Sequence, residues 1–381
     1  MTSETKRNAV RSHGEGGEAL FAIWLIVFAI LEIVLTVMIL INAVGNREAA
    51  STDSPSGAQT GTSSTTAAST PESPSSPVFV AGGTLTLPKE TEKTVNLSSV
   101  DSKYAILINA QTGEILAQKN ASIAFSPASM TKVMTLIVAC ENLTTKDLER
   151  KIPLTDEIVT YTTSGSYAGT DFSLPRESNG YSCIGDTYRI RDLLYGIGVA
   201  SAADCTYMIV KEISGSEEAF VALMNQKALE LGLSGTHFDN AVGFDSPNNV
   251  TTASDMAAIM SYAMQSELIV DILKPRQEKL SIKAHYVDST GGEKTYNVDL
   301  KSSLKSRLEK YPEFKLTTSS LYATKTGYTS GSFIVVTVTG KADGAQYVLV
   351  LGDSENPADT ISGKFKNTML DMESILNTYI Q

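Results

Sequence analysis

The chain has 381 residues, 42% of them hydrophobic, enough for one large globular unit of two lobes or for two small domains. A formal net charge of -11 argues against nucleic acid as a partner, because phosphate backbones are bound by clustered Lys and Arg. Having only His13, His237 and His285, and only Cys140, Cys183 and Cys205, argues against a multi-histidine zinc site and a disulfide framework. Free, buried thiols and no metal or cofactor are expected.

Residues 19–41, "ALFAIWLIVFAILEIVLTVMILI", are apolar apart from Glu32 and Thr36, which meets the roughly 20 residues needed to span a bilayer. Lys6, Arg7 and Arg11 precede this stretch and Arg47 follows it. The positive-inside rule then gives a cytoplasmic tail over 1–18, a single transmembrane helix over 19–44 and an extracytoplasmic remainder. A cleaved signal peptide is the competing reading, but its apolar region runs to about 7–15 residues, and "INA" before Val44 is a weak cleavage site. Residues 45–94 read as a Ser/Thr/Pro-rich linker, and 48–77 within it as a solvated tether with almost nothing apolar.

The folded part is expected over 95–381. "YAILINAQTGEILAQKN" is a strand, a turn at Gln111-Thr112-Gly113 and a second strand. "SMTKVMTLIVACENL" follows Pro127 as a buried helix. The middle reads as helical, through "IRDLLYGIGVA", "AADCTYMIVKEI", "SEEAFVALMNQKALELG" and "TASDMAAIMSYAMQSEL", the last opened by a Thr252-x-x-Asp255 capping box. "SFIVVTVTG" and "AQYVLVLG" form a second hairpin around "KADG", and "ADTISGKFKNTMLDMESILNTYI" is a closing helix. The simplest packing is an α+β fold, with one antiparallel sheet built from both termini and covered by helices, beside a mainly α-helical lobe. A cleft between the two is where a ligand would bind.

Three Ser-x-x-Lys matches occur, at Ser3, Ser129 and Ser302. Ser3 lies in the polar tail, and Ser302 sits in "KSSLKSRLEK", a charged stretch with no core face. Only Ser129 opens an apolar helix, where positions i and i+3 share a face and the Lys132 amine can reach the hydroxyl. Burial beside a second cation would favour a neutral amine able to take the serine proton. An ordinary buried helix start remains open at this point. Lys325-Thr326-Gly327 precedes the strand "SFIVVTVTG", offering a cation, a hydroxyl and a position without a side chain for a carboxylate and a peptide backbone. Between these elements, "GVASAADCTYM" places Ser201 at a helix start.

In that order, the three elements resemble those of the penicillin-binding proteins and serine β-lactamases. The tracts "FSPASMTKVMT", "RDLLYGIGVASAADC", "THFDNAVGFDSPNNVTTASDMA" and "ATKTGYTSGS" resemble the low-molecular-weight D-alanyl-D-alanine carboxypeptidases, over roughly Val95 to Leu351. The resemblance implies a β-lactamase/transpeptidase-like fold and a serine-type carboxypeptidase that acts on peptidoglycan stem peptides ending in D-Ala-D-Ala. β-Lactam antibiotics would be covalent inhibitors. It further implies Ser129 as nucleophile, Lys132 as general base and Ser201 as proton relay toward the leaving D-alanine. Lys325 and Thr326 would hold the substrate carboxylate, Gly327 would complete that motif, and the N–H groups of Ser129 and Tyr328 would form the oxyanion hole. The catalytic domain would face outward from a bacterial cytoplasmic membrane, anchored by residues 19–41.

One departure is visible. The family's middle element is usually Ser-x-Asn, whereas here Ala203 stands where the asparagine amide would be. Asp204 is adjacent and could compensate. A degenerate stem-peptide binder and a β-lactamase therefore stand as alternatives. A Ser-His-Asp hydrolase lacks a Gly-x-Ser-x-Gly elbow, and Asp239, Asn240 and Asp245 near His237 read as turn formers.

Overall fold

The structure is a computed structural model. It describes residues 76–163, 173–178, 181–276, 278–311, 314, 321–329, 332–341, 344–354 and 360–380, all in one compact unit that begins at Glu72. The expected cytoplasmic tail, transmembrane helix and first part of the linker lie outside the described residues.

The described chain opens with β1 (Val95–Asn96), β2 (Ser102–Asn109), β3 (Ile115–Lys119), α1 (Thr131–Asn142), β4 (Lys151–Pro153) and α2 (Asp156–Thr163). β5 (Glu177–Ser178), β6 (Tyr181–Ser182), β7 (Thr187–Arg189), α3 (Ile190–Tyr195), α4 (Ala203–Ser214) and α5 (Glu217–Glu230) follow. Then come α6 (Ala253–Ala263), α7 (Glu267–Leu273), β8 (Leu280–Val287), β9 (Glu293–Leu300) and α8 (Ser303–Leu308). The chain closes with β10 (Leu321–Tyr328), β11 (Phe333–Gly340), β12 (Gln346–Ser354) and α9 (Ile361–Tyr379).

The main sheet has the order β1-β3-β2-β12-β11-β10. Its central pairing joins the two ends of the fold, with Ile106 opposite Val350 and Ile108 opposite Val348 in an antiparallel ladder. All its pairings are antiparallel except β1 with β3. The near-continuous apolar run of β2 reflects burial on both faces, because successive side chains alternate across a sheet. Ile106, Ile108, Val336, Val338 and Val350 join the larger core cluster with Met134, Ile137 and Met256, whereas Ala105, Leu107, Val335 and Leu351 pack with Phe365, Met369 and Met372 of α9. The expected sheet of both termini covered by helices is formed, but it is mixed and not wholly antiparallel, because β1 pairs parallel with β3.

Every residue of α1 from Thr131 through Cys140 is buried, as suits a helix that is apolar on all sides. α1 thereby runs through the larger core, and its first turn is fixed to the protein interior. The stretch expected as one helix over 252–268 is two, α6 and α7, bent by 118°. The first ends at Ala263 with Met264 as its C-cap, and Ser266 caps the second, accepting from Ile269 N. Thr252 caps α6 as expected, but Asp255 does not complete the box, since its carboxylate instead accepts from Gly235 N and Thr236 Oγ1. Among the described residues no single helix is long and apolar enough to cross a membrane.

Two expectations need correction. The middle of the chain is not wholly helical, because it carries a four-stranded sheet of order β4-β7-β8-β9. β8 and β9 alternate visibly, with Ile282 and Ala284 buried between exposed Ser281 and Lys283, and "DSTGG" turns on an Asp288 side chain that accepts from Thr290 N and Gly292 N. The second correction concerns the linker, because residues 76–94 dock on the folded unit ahead of Val95. Val78 N and Phe79 N donate to Leu143 O and Cys140 O, covering carbonyls left open at the end of α1. The Phe79 ring is buried edge-on against Tyr262, with centroids 5.3 Å apart. Phe79 is joined by Val78, Ala81 and Leu85 on the same core, a short apolar stretch that the average composition of 45–94 hides.

Phe79→Ala is expected to cost about 3 kcal/mol in denaturant unfolding of the part from residue 76 onward. A chain starting at residue 95 should likewise melt below one starting at 76; equal melting would show that the docked segment contributes nothing.

Candidate active site

Ser129 lies in a tight turn, Ala128–Met130, that leads directly into α1. Pro127 O accepts from Met130 N at 3.0 Å, and Ala128 adopts a positive φ of 46°. The preceding strand-like contact between Phe125 and Thr251, bonded in both directions, fixes the approach, and Ser126 Oγ donates to Asp245 Oδ1 at 2.8 Å. One turn later Lys132 is buried, and its Nζ donates to Ser129 Oγ at 3.1 Å and to Val242 O. The helical spacing expected from the sequence thus brings the two side chains into contact.

The Val242 carbonyl is held by a loop pinned from several sides. Ala241 N donates to Glu217 Oε1 at 3.0 Å, and Ala241 O accepts from Thr135 Oγ1 at 2.7 Å. Asn240 Oδ1 accepts from Gly243 N at 2.7 Å and Phe244 N at 2.8 Å, closing an Asx turn. Gly243, at φ +80°, lies so close to the Ser129 turn that a Cβ there would fall 1.8 Å from Ala128 O. Asn240 is therefore the turn former expected, but the turn it forms presents an acceptor to Lys132.

A second serine and lysine meet opposite. α3 continues into a wide π-type turn, Gly196–Ala200, which ends at Ser201 in the left-handed conformation, φ 59° and ψ 29°. Such a turn and such a backbone in a residue other than glycine are both costly, and both concentrate at functional sites. Lys325, on β10 and 1% exposed, donates from Nζ to Ser201 Oγ at 2.9 Å and to Thr326 O at 2.9 Å. Two residues on, Gly327 has no room for a side chain, because a Cβ would come within 2.8 Å of Pro127 O. β10 thus runs directly against the turn that carries Ser129, with the half-exposed Tyr328 at its end.

All seven expected site residues are accordingly grouped on three elements: Ser129 and Lys132 at the start of α1, Ser201 before α4, and Lys325, Thr326, Gly327 and Tyr328 on β10. Ala203, at the start of α4, is 1% exposed and brings no polar atom. Asp204 does not stand in for the missing amide. Its carboxylate accepts from Ser173 N at 2.9 Å, Leu174 N at 2.8 Å and Cys205 N at 2.8 Å, and burial raises its pKa against those bonds.

Ser302, the third Ser-x-x-Lys match, caps α8 by accepting from Lys305 N, and Leu304 beside it is buried, so that stretch does have a core face. His237 Nδ1 lies 3.0 Å from Asn248 O, and His285 faces Thr187 across β7 and β8; among the described residues no histidine hydrogen-bonds Ser129. The three cysteines are free and buried, with burial pushing Cys140 up to about 12 and Cys205 well above its ordinary value.

The family model for D-alanyl-D-alanine carboxypeptidase, Peptidase S11, matches residues 90–356. The chain belongs to this family. D-alanyl-D-alanine carboxypeptidase DacF of Bacillus subtilis is 28% identical over 271 residues, which cover 71% of this chain and 62% of the relative. DacC of Escherichia coli K12 is 34% identical over 168 residues, covering 44% and 40%. The match therefore spans less than two thirds of either relative's length. Among solved structures, a point mutant of the Streptomyces K15 DD-transpeptidase aligns with TM-score 0.58 at 23% identity, covering 73% of this chain and 99% of that one. D-alanyl-D-alanine carboxypeptidase from Mycobacterium tuberculosis H37Rv aligns with TM-score 0.51 at 21% identity, covering 78% and 96%. These likenesses establish the transpeptidase-like fold.

Sequence reasoning missed the supports: Thr135, Glu217 and Gly243, which position the Val242 carbonyl. Thr135, polar within an apolar helix one turn after Lys132, was the available signal. Gly243→Ala should displace the Ser129 turn. Loss of covalent labelling by a fluorescent penicillin, together with a fall of several kcal/mol in unfolding free energy, is expected; wild-type labelling would refute the contact.

Proposed function

We propose that this family member is a membrane-anchored serine-type carboxypeptidase that removes the terminal D-alanine from peptidoglycan stem peptides ending in D-Ala-D-Ala. The observation that carries the reading is the pair of serine–lysine contacts, Ser129 with Lys132 at 3.1 Å and Ser201 with Lys325 at 2.9 Å, beside one strand end. A nucleophile and a base at attack spacing serve bond cleavage, and binding alone does not require them.

In this reading Lys132, as a neutral amine, takes the Ser129 proton, and Oγ attacks the carbonyl of the penultimate D-alanine. The N–H groups of Ser129 and Tyr328 bind the oxyanion, a contribution of about 3 kcal/mol per donor in comparable sites. The peptide bond breaks as Ser201, backed by Lys325, passes a proton to the leaving nitrogen. Thr326 holds the terminal carboxylate, and water then hydrolyses the acyl-enzyme. A β-lactam follows the same path to its ring-opened ester and stays on Ser129. Residues 19–41 would anchor the chain in a bacterial cytoplasmic membrane, with 95–381 outside.

Ala203 favours a second reading, a weakly active or non-catalytic stem-peptide binder, because it leaves no amide at a position where the family usually has one. Both readings are tested by D-alanine release from a pentapeptide and by fluorescent-penicillin labelling. The parent is expected to release D-alanine and to label covalently, with Ser129→Ala doing neither and Lys132→Ala slowed by about 10²–10⁴. Release only after Ala203→Asn would support the degenerate reading, and an unlabelled parent would overturn the acyl-enzyme.

A further inference from the structure

The Lys325 side of β10 is occupied by Ser201, but the same strand has a second face. Thr326 and Tyr328 share it, because strand residues two apart point the same way. Across from them lies α8, on which Ser303 and Arg307, four apart, share a face. The structure sets these faces together: Ser303 Oγ is 3.1 Å from Thr326 Oγ1, and the Arg307 guanidinium stacks 4.7 Å from the Tyr328 ring centre and 5.6 Å from that of Phe333. Buried Leu304 seats the helix, and Ser302 caps it. The Ser303 hydroxyl is thus left for Thr326.

Of two hydroxyls in contact, one donates. A carboxylate can only accept, so a Thr326 that donates to Ser303 has no proton for an anion, whereas a Thr326 that accepts from Ser303 does. Hydrogen bonds in such a chain also polarise one another. The geometry points to Ser303 as a positioning residue: it donates to Thr326 Oγ1 and commits the Thr326 proton to the terminal carboxylate of the peptide. This role rests on the proposed carboxypeptidase reading and extends it to a residue that no motif marks. Arg307 keeps α8 in register with β10. Because the relay acts on the carboxylate and not on the scissile carbonyl, it governs binding and the preference for a free acid over a neutral ester.

The test uses the full-length chain in detergent. It measures kcat and KM for D-alanine release, and the acylation rate of Ser129 by a penicillin and by its methyl ester, in the parent, Ser303→Ala and Ser303→Thr. Alanine is a good helix former and the Ser302 cap remains, so α8 should persist. Ser303→Ala is expected to raise KM about five- to tenfold, with kcat within about twofold, and to slow acylation by the acid by the same factor without slowing the ester. Ser303→Thr should restore both. Equal losses for acid and ester, or no loss, would overturn the relay while leaving the carboxypeptidase reading intact. A parent that neither releases D-alanine nor becomes acylated would remove that reading and this assignment together.

Discussion

A lysine cannot be buried without acceptors for its amine, and that requirement organises the site. Lys132 is 2% exposed and Lys325 is 1% exposed. Taking such a group out of water costs several kcal/mol unless geometry and hydrogen bonds offset it. The fold meets the need in the same way twice, giving each amine a serine hydroxyl and a backbone carbonyl: Ser129 and Val242 for Lys132, Ser201 and Thr326 for Lys325. One partner of each amine, Val242 for Lys132 and Ser201 for Lys325, comes from a segment far away in sequence, so neither arrangement is complete before the tertiary fold is.

Those acceptors are held at some expense in backbone strain. Ala128 and Ser201 carry positive φ without being glycine, each costing of order 1–3 kcal/mol. The surrounding structure over-determines both. α1 is buried on all sides just beyond Ala128, and Gly243 presses on the Ala128 carbonyl from the other side. Ser201 is fixed between the π-type turn and α4. The loop that carries Val242 is tied to α1 through Thr135 and to α5 through Glu217. Rigidity here is a sum of short-range supports around the Ser129 and Ser201 hydroxyls.

The strongly patterned parts of this arrangement were legible in the sequence. β2, β11 and β12 are apolar runs bounded by turn residues, and the Ser129-x-x-Lys132 spacing on a helix dictates its own contact. The supports were less legible: Glu217, Gly243 and Ser303 acquire meaning only from what the fold sets against them, and Asn240 read as a turn former without showing what its turn presents. The strands β4 and β7 are three residues each, too short for any period to register, and they dragged the visibly alternating β8 and β9 out of view. The docking of residues 76–94 rests on a short apolar stretch, Phe79 with Val78, Ala81 and Leu85, inside a region whose average composition says linker.

Ala203 can be placed against this background. An amide at that position would serve both the lysine and the substrate carbonyl, but Lys132 has the Val242 carbonyl as an acceptor without it. Asp204 is drawn the other way, into the backbone of Ser173 and Leu174, and so cannot turn back toward the site without leaving those N–H groups unpaired in the interior. On the proposed reading, what the alanine removes is therefore a donor to the peptide and not a support for Lys132. In the proposed reaction its burden falls on orienting the substrate, a task that passes to the remaining contacts along β10: Thr326 and its neighbour Ser303 on one side, and the backbone of Tyr328 at the strand end.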